Sequence, residues 1–137
     1  MTRAERFSRA RRERGSITLE VAVVIPAMLV LMFAVVQGAV VAYALSVVES
    51  AASAGVTSGR SADAGSGAGV AQARAALADR GGGALQDVSV SDAGSTSDTV
   101  RITVSGRSVS VIPGLPGLQV RGSAHAPREH FTLPGAP

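Results

Sequence analysis

The sequence predicts an α+β protein. A long N-terminal transmembrane helix comes first, followed by a small extracytoplasmic domain with one short helix and a 3-4 stranded antiparallel sheet. Three observations predict it. From Val21 to Val48 no residue is charged, and the run exceeds the about 20 apolar residues that one bilayer crossing needs. Apolar periodicity then switches to two, with Val88 and Val90 alternating with serines and Val100, Ile102 and Val104 alternating with Arg101 and Thr103, as half-buried strands require. Between these regions Val70–Arg80 reads VAQARAALADR, a short segment of good helix formers.

Charge asymmetry sets the expected orientation. Residues 1–14 carry Arg3, Arg6, Arg9, Arg11, Arg12 and Arg14 against Glu5 and Glu13. Residues 15–137 hold seven arginines against eight acids, so the basic character is confined to the tail. An arginine excess before the apolar run favours a cytoplasmic N-terminus. The expected organisation is a basic cytoplasmic leader at 1–15 and a transmembrane helix with an outer extension at 16–50. A Gly/Ser/Ala linker follows at 51–69, then a small outer domain at 70–126 and an irregular tail at 127–137.

The leader is expected to be poorly ordered, as termini without packing partners usually are. Ser16 or Thr18 is expected to cap the helix. A helix from Ser16 to Val48 is about 50 Å long and overshoots a hydrocarbon core of about 30 Å. The excess is expected to project outward, where Gln37, Tyr43, Ser46 and Glu49 raise the polarity. Tyr43 suits the headgroup interface. Pro26 lacks the N–H for a helical bond and is expected to kink the helix. Ala34, Gly38, Ala42 and Ser46 recur every four positions, and Ser50 and Ala54 continue the series. Such small-residue spacing lets two helix backbones approach closely in lipid.

After Glu49 the Gly/Ser/Ala-rich stretch is expected to fray the helix and become a flexible linker. Gly81–Gly83 stops the short helix. Ala93–Asp98 is the turn of a hairpin, and Val109 and Val111 extend the strand pattern. Ile112–Gly117, with two prolines and two glycines, is a loop. Leu118 and Val120 are expected to form a last short strand before an irregular end.

The composition excludes several chemistries. There is no cysteine, so neither disulfides nor thiolate chemistry are available. His125 and His130 have only Glu129 as a near carboxylate, too few ligands for a metal site. Gly65, Gly67 and Gly69 precede a helix, but their spacing is not that of a phosphate-binding loop, and they read as linker. One tyrosine and three phenylalanines give no platform for stacking bases. No enzymatic activity, cofactor, metal, nucleic acid or small-molecule substrate is expected.

Glu20 stands at the mouth of the apolar run. A carboxylate entering hydrocarbon is costly unless paired and is a functional candidate by default. As a bare residue it reads equally as a hydrated marker of the headgroup boundary.

A resemblance separates the two. Gly15 followed by Glu20 resembles the processing signature of type IV pilins and pseudopilins, in which a basic leader ends in Gly and the fifth mature residue is Glu. The wider string, with Arg14, Gly15, Glu20, Ala22 and Pro26 in place, resembles the TadE-like family of tight-adherence pilus assembly proteins over about residues 12–45. The resemblance implies cleavage between Gly15 and Ser16 by a prepilin peptidase. It also implies an assembly role for Glu20 and Pro26, packing through the stripe Ala34, Gly38, Ala42 and Ser46, and other pilin-like subunits as partners. Ser16, in place of the aromatic common in major pilins, implies a minor subunit. On that reading the amine freed on Ser16 pairs with Glu20 of a neighbour, and a pair in low dielectric serves mainly to fix register. Two rivals remain open: a small secreted protein cut by signal peptidase at Ala42-Tyr43-Ala44, and a single-span envelope protein unrelated to pili.

Overall fold

The computed structural model describes residues 3–61, 63–65 and 67–129, with side chains from Leu19 onward. The chain forms two units, Met1–Val36 and Gln37–Pro137. Helix α1, Arg3–Gly59, supplies the described part of the first and opens the second.

In the first unit α1 passes through Pro26 without a break. Every residue from Leu19 to Val36 is exposed. Helix α1 begins at Arg3, so neither Ser16 nor Thr18 stands at a helix start, and the described part of the leader is helical. Ala, Arg and Glu are good helix formers, and extending an existing helix adds one bond per residue without a new nucleus.

The second unit adds α2, Ala68–Arg80, and strands β1, Leu85–Ser91, β2, Thr99–Ser108, and β3, Gln119–Pro127. The strands form one antiparallel meander in the order β1-β2-β3. Val104 pairs with Val90 on one side and Gly122 on the other. A bulge shifts the register between Gln86 and Ser89, where Asp87 takes φ 51. Val100, Ile102, Val104 and Ser108 point inward and are buried. Arg101 and Arg107 lie on the exposed face, as the alternation of a strand dictates.

The inward face is covered by α1 and α2. Ala44, Val47, Val48, Ala51, Ala52 and Val56 of α1 join Ala73 and Leu77 of α2 in the core. The spacing of three and four on α1 is the stripe by which a helix packs on a sheet. Here α1 continues to Gly59, past the expected end at Ser50. Burial of Ala51, Ala52 and Val56 offsets the glycine and serine content that reads as fraying.

Two glycines set how closely the helices approach. A Cβ on Gly55 would stand 2.7 Å from the Gly69 carbonyl oxygen, and one on Gly69 would stand 2.8 Å from that of Gly55. Gly69, expected in the linker, is thus a buried helix contact.

Two strand expectations are corrected. The sheet has three strands, within the expected range, but β3 is nine residues long where Leu118 and Val120 suggested a short one. Its inward positions after Val120 are Gly122, Ala124 and Ala126, too small to read as an apolar alternation. At Gly122 the nearness of α1 requires it: a Cβ there would lie 2.7 Å from the Glu49 nitrogen. Val109 and Val111 do not prolong β2. The Val109 N–H bonds to the Ala84 carbonyl at 3.1 Å, and the Val111 N–H turns to Gln37.

Arg128 and Glu129 of the expected irregular tail are anchored. The Arg60 guanidinium lies 3.5 Å from the Glu129 carboxylate, and the Glu129 N–H donates to the Arg60 carbonyl at 3.0 Å. His130 and the rest of the tail lie outside the described residues.

Candidate functional site

The sequence-predicted site residues all lie on α1. Gly15 and Ser16 fall in its helical backbone, and their side chains lie outside those described. Glu20 is exposed at the head of the uncovered apolar run, with Leu19 at 73% and Val21 at 48% exposure beside it. No described residue shields it. Pro26 lies within the same exposed run.

The small-residue stripe divides. Ala34, Gly38, Ala42 and Ser46 are exposed, and a Cβ on Gly38 would meet nothing within 4 Å. Ser50 and Ala54 are half-buried beneath α2. The cause is helical drift: four residues turn about 400°, so a stripe of that period winds slowly around the axis. Ser50 accepts a bond from Arg80 Nη1 at 2.6 Å. The C-terminal end of the stripe is therefore used within the chain, and the four residues from Ala34 to Ser46 are exposed.

Two polar residues on α1 have roles that sequence reasoning did not assign. Gln37 Nε2 donates to the Val109 carbonyl at 3.2 Å, and Gln37 Oε1 accepts from the Val111 N–H at 2.9 Å. Its amide thus mimics a strand neighbour for the segment after β2. The available signal was a lone amide inside an apolar run, which reads as rising polarity near the helix end. Tyr43, expected at the headgroup level, donates its hydroxyl to the Arg80 carbonyl at 3.0 Å. That carbonyl closes α2, where helix geometry leaves acceptors without partners.

Outside α1, His125 is exposed on β3 opposite Arg101. Among the described residues no three His, Asp or Glu side chains gather as metal ligands. Gly67 precedes α2 in a left-handed conformation, φ 88, with no side-chain cap.

The apolar segment is the chemically distinctive feature. Among the described residues α1 is the one helix long and apolar enough to cross a bilayer, and its most apolar window has none of its residues buried. A core helix of a soluble protein would be covered. These are the features of a single-pass membrane protein. The family model described as TadE-like protein matches residues 15–57. The match begins at Gly15, spans Glu20, Pro26 and the small-residue stripe, and ends within the core-forming part of α1. It agrees with the resemblance read from the sequence. No curated protein and no solved structure matches the chain.

Proposed function

We propose that this chain is a non-enzymatic minor pilin-like subunit of a tight-adherence pilus or a type II-related secretion apparatus. It is inserted with its N-terminus in the cytoplasm, as the arginine excess before the apolar run favours. A prepilin peptidase removes the leader between Gly15 and Ser16. The freed Ser16 amine of one subunit then pairs with Glu20 of another, and the stripe Ala34, Gly38, Ala42 and Ser46 packs against neighbouring helices. The α+β unit acts outside the membrane as the surface presented to partner subunits.

The observation that carries this reading is Glu20. It is an exposed carboxylate at the head of an apolar run that stays exposed from Leu19 to Val36. Such a group is costly in hydrocarbon unless an opposite charge meets it. The family match, which spans both Gly15 and Glu20, supports this reading.

Secretion after cleavage at Ala42-Tyr43-Ala44 is less well supported. Ala44 is fully buried. Cleavage there would also discard Gln37 and Tyr43, which bond to Val109, Val111 and Arg80.

The test is Glu20→Ala in cells carrying the rest of the apparatus. The variant is expected to insert and to be cleaved, yet to lose co-purification with the other pilin-like subunits. Unchanged co-purification would refute the pairing role.

A further inference from the structure

The loop after β2 carries exposed apolar side chains that the pilus reading leaves without a role. Leu115 is 56% and Leu118 57% exposed. From Ser108 to Gln119 no residue is charged. The segment is also sparing with free donors. Pro113 and Pro116 have no N–H. The N–H groups of Ser108, Val109, Val111, Ile112, Leu115 and Leu118 all bond within the chain.

The position of this loop along α1 is fixed by Gln37, whose amide clamps both Val109 and Val111. About 20 residues of helix span the hydrocarbon core. Counted from Val21, the first residue past Glu20, that length ends close to Val40, beyond Gln37. A loop clamped at Gln37 therefore lies level with the outer edge of the hydrocarbon. The clamp suits that depth, because an amide there must find its partners within the protein. Arg107 and Arg121 flank the loop, exposed on the outward sheet face.

We infer that Val109–Leu118 is a membrane-contacting loop, seating Leu115 and Leu118 at the headgroup–acyl boundary of the bilayer that α1 crosses, with Arg107 and Arg121 on anionic headgroups. The inference rests on the reading of α1 as a membrane-spanning helix, and the test separates the two.

The chain has no tryptophan, so single Trp variants of the full chain report position directly. Leu115→Trp, Leu31→Trp and Thr57→Trp are reconstituted at low protein-to-lipid ratio. The vesicles contain phosphatidylcholine and phosphatidylglycerol brominated near the headgroup end of the acyl chains. Leu31→Trp, midway along the counted 20 residues, reports insertion in companion vesicles brominated near the ends of the acyl chains, and Thr57→Trp, at the far end of α1, stands clear of lipid. Leu115→Trp is expected to emit at shorter wavelength than Thr57→Trp and to lose roughly half its intensity to bromine, as an interfacial side chain does. Arg107→Gln with Arg121→Gln is expected to lessen that quenching. A quenched Leu31→Trp beside an unquenched Leu115→Trp would overturn the inference and leave the spanning helix intact. So would a Leu115→Trp shielded from aqueous quencher but untouched by bromine, since protein would then cover the loop. An unquenched Leu31→Trp would overturn both readings.

Discussion

The side-chain carbonyl of Gln37 accepts the backbone N–H of Val111 at 2.9 Å, joining positions 74 residues apart. The same amide donates to the Val109 carbonyl. One side chain therefore holds the stretch that leaves β2. Gln37→Leu would leave a donor and an acceptor of a half-buried segment without partners. The expected cost is about 1–3 kcal/mol. Hydrogen exchange in detergent is expected to show faster exchange at Val111 while the amides of β2 keep their protection.

Helix α1 meets α2 where Gly55 faces Gly69, and there is no room there for a methyl group. Gly55→Ala is expected to lower stability by about 1–3 kcal/mol through overpacking. Gly38→Ala, in open space, is expected to be neutral or to gain about 0.5–1 kcal/mol in helix propensity. Thermal unfolding of the two variants under one detergent condition compares them directly.

The core rests on a small set of residues, and Ile102 is the largest side chain fully buried within it. Ile102→Ala is expected to cost about 2–5 kcal/mol. Leu115→Ala, at an exposed position, is expected to stay within about 0.5 kcal/mol of the parent. Equal losses in denaturant unfolding would contradict the placement of the core.

The exposed part of the stripe makes a separate prediction. A Cβ on Gly38 meets nothing within 4 Å in its own chain, so Gly38→Leu is expected to fold and insert. Close helix approach in lipid depends on small residues, so co-purification with pilin-like partners is expected to fall. Retained co-purification would remove Gly38 from the packing surface.

Much of this fold was legible because its signals are local. The uncharged run, the helix-forming stretch ending at Arg80 and the alternation around Ile102 each fit in one window. What was not legible depends on long-range packing. Gly55 and Gly69 read as linker because a glycine that serves helix contact looks the same as one that serves flexibility. The last strand read as short, ending near Val120, because the inward side chains beyond it, Gly122, Ala124 and Ala126, are small, and Gly122 is small to admit the α1 backbone near Glu49. Val109 and Val111 carry a strand pattern, yet Ala84 and Gln37 take their hydrogen bonds. For the candidate site, Glu20 could be singled out from its neighbours alone. The role of Gln37 could not, since its partners lie beyond the whole of α2 and two strands.

The account turns on where the chain is cut. Accurate mass and N-terminal sequencing of the protein purified from cell membranes test it most directly. The predicted result is a mature chain beginning at Ser16, with residues 1–15 absent and Glu20 in fifth position. A chain beginning at Leu45, or one retaining its arginine-rich leader in cells with an active prepilin peptidase, would contradict it.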